Sequence, residues 1–458
     1  MNNKTVEAHI ASGKARRTTM ARSAHAEWKA PANRPNPVEL LKQQALTREQ
    51  DLVPLRYERM GVSPFTFYRG SALIMASDLS TMPHTNMRVQ LCGDAHIANF
   101  GCFASPERRL VFDINDFDET LPGPWEWDVK RLAASIEICG RDRGFKKGDR
   151  RQAVMTAVKS YREAMISFAR MNNMDVWYAH LDVEQELRRS SALSSKKEGK
   201  IVLKELEQAY HKTSASAVKK LTSLVDGSLK INSTPPLIVP LSELFCDAQT
   251  VRKTEALIDE LTQAYKETLP RDRQHLFEQF SYVDSARKVV GIGSVGTQAW
   301  IIVLAGWDQS DPLVLQLKEA QGSVLESFVG ASEFDNHGRR VVEGQRLMQA
   351  SSDVMLGWVR GTGPDGVTRD FYVRQLWDWK SSANLSAIDF DELSVTGAMC
   401  GWTLARAHAR SGNRIAIASY LGAANTFDKA IADFAASYAD QNQADYDAFM
   451  QARGAGEL

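Results

Sequence analysis

LCGDAHIANFGCFASPERRLVFDINDFDE, residues 91–119, is the stretch on which the reading of this chain turns. Asn99 stands five positions after Asp94, and a hydrophobic run then ends in Asp113 and Asp116. A turn at Ser105-Pro106-Glu107-Arg108 splits that run into a β-hairpin. An acid, an amide and an acid after a hairpin form the set that phosphoryl transfer uses to hold a nucleophile and Mg²⁺ beside a nucleotide. Asp94 is placed to accept a proton from a hydroxyl. Asn99 and Asp116 offer the hard oxygen ligands that Mg²⁺ prefers. Taken alone, FDINDFDE also suits a solvated acidic turn. The combined spacing is what favours the catalytic reading.

The segment resembles aminoglycoside- and choline-type phosphotransferases. Their loop reads roughly H-G-D-x-x-x-x-N, then a short hairpin, I-D-F and G-D-P-x-x-D-L. Here Gly123-Pro124-Trp125-Glu126-Trp127-Asp128-Val129 matches the last element, and Asp128 lies twelve residues after Asp116. That spacing makes Asp116, rather than Asp113, the counterpart of the metal-binding Asp. Asp128 is then expected to brace the catalytic loop from its helix start. Cys92 stands before Gly-Asp, so the family's leading His or Arg is absent, and His96 lies inside the loop.

The nucleotide-binding half follows rather than precedes this loop. Gly291-Ile292-Gly293-Ser294-Val295-Gly296 is a G-x-G-x-x-G between two strand-like runs. Ala299–Leu304 reads as the next strand, and Leu313–Lys318 as a third ending on a Lys. Gly291, Gly293, Ser294, Gly296 and Lys318 are the expected phosphate contacts. A helix at Arg339–Met348 and two strands, Val354–Val359 and Phe371–Leu376, complete a small-lobe order. Glu343 is the first choice to pair with Lys318 and Glu326 the second. Arg374 and Lys380 are expected to border the nucleotide pocket. The helix containing GWTLARAHARSG, Thr396–Ser411, resembles the one that in small-molecule kinases runs into H-G-D. Circular permutation reconciles the order, since chain termini usually lie close together at the surface. His408 on that helix reads as a packed core residue.

As a whole the chain resembles the bacterial DUF2252 family over roughly residues 35–449. The resemblance rests on RYERM, SPFTFYRG, the Gln90–Glu119 stretch, LPGPWEWDVKRLAAS, VVGIGSVGT, LQLKEA, GQRLMQASSD, FYVRQLWD and LARAHARSG. It implies an α+β, protein-kinase-like two-lobe fold, circularly permuted, with a mainly helical large lobe and a small five-stranded antiparallel lobe. The expected division is a basic, partly disordered arm over 1–34, a helical half with the catalytic and metal loops over 35–285, a nucleotide-binding lobe over 286–380, and helices over 381–458 that complete the large lobe. Within the helical half, Asp128–Arg143 and Gln152–Ala169 carry apolar stripes at helical steps. Ser190–Lys197 reads as a loop, the stretch near Val202–Leu224 as a helix, and Thr234–Pro240 as a loop. Arg69, in FTFYRG, reads first as a structural salt bridge and second as a phosphate or acid contact.

Length and composition narrow the classes. A chain of 458 residues holds more than one packed unit. Its 56 basic and 56 acidic residues balance, which argues against an electrostatic nucleic-acid binder. No apolar run reaches the length of a membrane span. Five scattered cysteines without metal-ligand spacing fit a reducing cytoplasm. Cys92 reads as a small buried residue. The expected function is an ATP- and Mg²⁺-dependent phosphotransferase acting on a hydroxyl group of a small molecule. GDAHIAN lacks the Lys two positions after Asp94 that protein Ser/Thr kinases use, which favours a small-molecule acceptor. Two alternatives share the site: transfer of AMP, and an ATP-binding interaction module without turnover.

Overall fold

The computed structural model describes residues 5–183, 214–225, 228–245, 247–363, 365–376 and 378–458. The expected loop at Ser190–Lys197, most of the Val202–Leu224 helix and Cys246 lie outside the described residues. The class is α+β, with a helical core and several antiparallel sheets.

The helical core is built on Trp125–Asp142, Lys147–Phe168, Phe390–Ser411 and Thr426–Gly454. Trp125–Asp142 begins with Glu126 and Asp128 in its first turn, where the helix dipole favours negative charge. Asp389 and Glu392 form a reciprocal capping box at the start of Phe390–Ser411. That helix packs closely on Lys147–Phe168, and Gly401 permits the approach: a Cβ there would sit 2.1 Å from the Ala157 carbonyl oxygen. Val154, Val158, Tyr161, Met165 and Phe168 form the buried stripe that their spacing predicts.

The principal sheet has six antiparallel strands rather than five. Their spatial order is Gly357–Thr362, Thr368–Gln375, Pro312–Glu319, Ala299–Ala305, Ser281–Lys288 and Ile238–Pro240. The added strand comes from the expected Thr234–Pro240 loop, where Ile238–Pro240 pairs with Ala286–Lys288. One face of the sheet buries Ile302, Leu304, Leu315, Leu317, Phe371 and Val373 against Tyr265, Leu269 and Phe277. The helices Ala248–Lys266 and Arg271–Phe277 therefore pack on this sheet and not on the helical core. The opposite face places Lys318 beside Tyr372 and Gln316 beside Arg374. Further along that face, Ile301, Val303 and Val314 are covered by Ala217, Val218 and Leu221 of the Ser214–Leu221 helix. The chain then turns into a hairpin, Thr222–Val225 with Ser228–Ile231, where the expected helix would have continued.

The basic N-terminal stretch is packed, not a free arm. Val6–Thr19 forms a helix. Arg17 donates to the Ser419 and Tyr420 carbonyls at 2.5 and 2.9 Å, and Arg22 to the Leu421 carbonyl at 2.6 Å. These are unpaired carbonyls at the C-terminal end of Arg414–Leu421, where cations are favoured. Arg34 binds both Asp78 and Asp445. No helix among the described residues is long and apolar enough to cross a membrane.

Candidate active site

The strand Arg88–Leu91 runs into Gly93, whose φ is +83°. A Cβ at Gly93 would lie 2.3 Å from the Glu119 carbonyl oxygen, so both the conformation and the space require glycine. Asp128 accepts hydrogen bonds from the Cys92 and Gly93 amides at 2.8 and 3.1 Å. It thus occupies the bracing position expected of it. Behind it His408 Nε2 lies 3.3 Å from Asp128 Oδ2, and the Tyr161 hydroxyl is 2.9 Å from His408 Nδ1. His408 is fully buried, a core residue as its helix position suggested. Burial and the charge of Asp128 push the Cys92 thiol well above its usual range, which suits a packing residue and not a reactive one.

Asp94 follows. Its Oδ1 accepts from Arg131 Nε at 2.9 Å and lies 2.8 Å from Arg131 Nη2 in the same ion pair, while Oδ2 has His96 Nε2 at 3.6 Å. Arg131 stacks 3.9 Å from the Tyr68 ring centroid and also binds the Tyr68 carbonyl, so it is rigidly held. Burial, then Arg69 and Arg131, push the His96 pKa well below its ordinary value, and the ring is neutral at pH 7. Asn99 donates from Nδ2 to the Asp94 carbonyl at 2.8 Å. The acid and the amide are therefore locked in one turn.

The hairpin Phe100–Ala104 with Leu110–Ile114 carries the next carboxylates. Asp113 points away from the site, into a buried ion pair with Arg406 at 2.5 Å. Asp116 and Asp118 flank the buried Phe117 and both face the cavity. Lys318 makes its direct ion pair with Asp118, and its ammonium lies 3.9 Å from Asp116 Oδ2. Asp118 also accepts from the Tyr372 hydroxyl at 2.8 Å and from Ser294 Oγ at 3.4 Å. Burial pushes the Asp118 carboxyl up, but Lys318, Tyr372 and Arg374 together hold it below the usual range. Asp116 is raised, by burial and by the charge of Asp118, against the pull of Lys318 and Arg374. Burial disfavours the Lys318 ammonium, yet Asp116 and Asp118 keep it charged.

Glu343 is not brought to Lys318. It lies 3.6 Å from Arg346 on its own helix, and Glu326 lies 3.9 Å from His337. The carboxylates that meet Lys318 come from the turn after the hairpin. Asp118 is therefore a site residue that sequence reasoning missed. Its signal was the D-F-D pattern, two acids on either side of one buried aromatic.

The glycine loop closes over these groups. Gly291 and Gly296 have φ of +67° and +90°. Three contacts from the N-terminal segment hold the loop. Arg59 donates to the Gly291 carbonyl at 2.7 Å, Arg48 to the Val295 carbonyl at 2.5 Å, and the Glu49 amide to the Gly296 carbonyl at 2.7 Å. A Cβ at Gly293 would meet the Arg69 carbonyl oxygen at 3.4 Å. Asp94, Asn99, Asp116, Gly291, Gly293 and Ser294 thus line one cavity of about 450 Å³, with Asp118, Glu119, Arg48, Arg69, Gln43 and Gln44. Burial pushes Glu119 up to about 7, although the Val324 amide hydrogen-bonds its carboxylate at 2.7 Å. Arg374 and Lys380 line a separate space of about 60 Å³ with Asn115, Asp353 and Asp378 instead.

The donors fit Mg²⁺. Asp116 keeps Oδ2 free of hydrogen bonds from the described residues, while its Oδ1 accepts from the Asp118 amide at 3.2 Å. Mg²⁺ commonly takes one or two carboxylates together with substrate phosphates and waters. Asp116 with the Asn99 amide would supply that share and orient the phosphates.

The helix Phe390–Ser411 ends against the strand that feeds Gly93. Ser411 Oγ accepts from the Gln90 amide at 3.2 Å, and a Cβ at Gly412 would meet Val89 at 2.4 Å. Residues 48–452 match the family described as "Uncharacterized protein conserved in bacteria (DUF2252)". No curated protein and no solved structure matches the chain.

Proposed function

The chain belongs to the bacterial DUF2252 family, and we propose that it is an ATP- and Mg²⁺-dependent phosphotransferase acting on a hydroxyl group of a small molecule. One observation carries this reading. The acid–amide–acid set of Asp94, Asn99 and Asp116 lines one cavity with Gly291, Gly293 and Ser294 of the glycine loop, although about 200 residues separate the two groups in sequence. Lys318, itself buried and not lining that cavity, pairs with Asp118 and approaches Asp116 from behind. A solvated acidic turn would have no reason to face a glycine loop and a buried Lys.

The chain order supports a permuted kinase-like arrangement. The Phe390–Ser411 helix lies where the strand into Gly93 begins, so the two are continuous in space and split in sequence. In this reading Asp94 Oδ2, the oxygen not held by Arg131, receives the acceptor's proton. The acceptor oxygen bonds to the γ-phosphorus as the bond to the β,γ-bridging oxygen breaks, and ADP leaves with that electron pair. Lys318, charged and anchored by Asp118, is the phosphate contact. Arg131 and Asn99 fix the position of Asp94.

Asp94→Ala tests the assignment of the base. Transfer to the acceptor should fall by about 10²- to 10⁴-fold, while MgATP affinity stays close to wild type, because Asp94 serves the acceptor. Full activity in Asp94→Ala would remove it from that role. Radiolabel from the γ-phosphate, and not from the α-phosphate, should appear in the product. The reverse labelling would assign AMP transfer.

A further inference from the structure

Two guanidinium groups line the cavity, and they differ in what holds them. Arg48 donates to the Val295 carbonyl and so fastens the glycine loop. Arg69 is mostly buried, its Nε has no hydrogen-bond partner, and it forms no ion pair among the described residues. The salt bridge that its sequence context suggested is absent there. Other nearby arginines are committed: Arg131 to Asp94, Arg340 to the carbonyls of Asp118, Thr120 and Gln321, and Arg374 to Asn115 and Gln316.

A partly buried guanidinium whose Nε is left without a hydrogen bond carries a cost. Its position explains why it would be kept. Arg69 ends the Pro64–Arg69 helix, which a Ser63–Thr66 capping box starts. Its backbone carbonyl lies against Gly293 at the tip of the glycine loop. The charges that counter it are Asp94 and Asp116, one on each side of the proposed reaction. A guanidinium there has its donors free for the oxygens of a group passing between the acceptor and the metal site. Guanidinium matches such oxygens bidentately, and charge that spreads over them in the transition state strengthens the contact.

We propose that Arg69 is a catalytic residue that binds the transferring γ-phosphoryl group, supplied in cis by the segment before the catalytic loop. The proposal rests on the phosphotransferase reading for the identity of the phosphate, and on the geometry of Arg69 for its anion contact.

Calorimetry of MgATP and MgADP, with wild type, Arg69→Met and Arg69→Lys, tests it. Wild type should bind MgATP more tightly than MgADP. Arg69→Met should keep its MgADP affinity and lose roughly 10- to 100-fold in MgATP affinity, the size of a lost charge-assisted contact. Arg69→Lys should recover part of that loss, because it restores the charge without the fork. The Tm of Arg69→Met should equal or exceed that of wild type, since the change removes a partly buried cation that forms no ion pair among the described residues. Unchanged binding of both nucleotides, or equal loss of both with a lowered Tm, would overturn the assignment. If wild type binds neither nucleotide, the phosphotransferase reading fails, and inorganic pyrophosphate decides the fate of Arg69. Thermal stabilisation by pyrophosphate that is present in wild type and absent in Arg69→Met would retain the anion contact. Equal stabilisation, or none in either protein, would reject it.

Discussion

The two sides of the cavity are held in different ways. On the side of the Asp94–Asn99 loop, buried side chains do the holding. Asp128 grips the Cys92 and Gly93 amides, Arg131 grips Asp94, and Arg406 grips Asp113. On the glycine-loop side, the chain is held by its own carbonyls, which accept from Arg48, Glu49 and Arg59. Buried charge networks are costly to break and keep a site rigid. The Arg59 contact to the Gly291 carbonyl is exposed and cheaper to open, although the Arg48 contact to Val295 is buried. The acid and amide are thus fixed by buried charges, while the glycine loop is fastened separately, through its backbone.

Breaking the rigid side should produce the largest effect. Asp128→Ala leaves the buried Cys92 amide, the half-buried Gly93 amide and His408 without their partner. A loss of about 3–5 kcal/mol is expected, the range for removing one partner of a buried pair, and denaturant unfolding measures it. A loss under about 1 kcal/mol would mean that the catalytic loop does not depend on this brace.

On the glycine-loop side the effect should be smaller. Gly296→Ala puts a side chain at a φ of +90° and a Cβ 2.9 Å from the Arg48 Cβ. The expected cost is roughly 1–3 kcal/mol, with local loosening of residues 291–296 in hydrogen exchange. A change confined to global stability, with the loop's protection intact, would merge the two sides into one unit.

A titration sharpens the boundary between them. Glu119 sits where the hairpin turn meets the cavity wall, and burial raises it from 4.5 to about 7. Its folded-state pKa is above the unfolded one, so the native state binds more protons in that window. Stability therefore falls as pH rises between about 4.5 and 7, and the penalty is complete above that range. Glu119→Gln keeps the acceptor for the Val324 amide and removes the titration. Its Tm should gain on wild type through that window. Parallel Tm profiles for the two proteins would place the proton elsewhere.

The arrangement on the Asp94 side was legible in the sequence because its parts lie close together in it. The steps from Asp94 to Asn99 and from Asp116 to Asp128 encode a loop, a hairpin and a bracing helix directly. Lys318 was legible as the last residue of an apolar strand. The clamps from Arg48, Glu49 and Arg59 were not, because a carbonyl acceptor more than 200 residues away carries no side-chain signature. The same blindness made the N-terminal arginines look solvated, when they in fact meet the carbonyls of residues 419–421. Glu343 was chosen for standing on the right helix, but Asp118 reaches Lys318 from a turn that the spacing had already given to Asp116. The Ala248–Lys266 helix shows a similar limit. An apolar stripe states that a helix is covered, not which surface covers it.

Asp116 and the glycine loop are proposed to form one metal–nucleotide site, and calorimetric titration of MgATP into wild type and Asp116→Ala decides it. Binding to wild type should be saturable, require Mg²⁺ and be lost in Asp116→Ala. Wild type that binds no ATP with Mg²⁺ present, or a variant that binds it unchanged, would rule the shared site out.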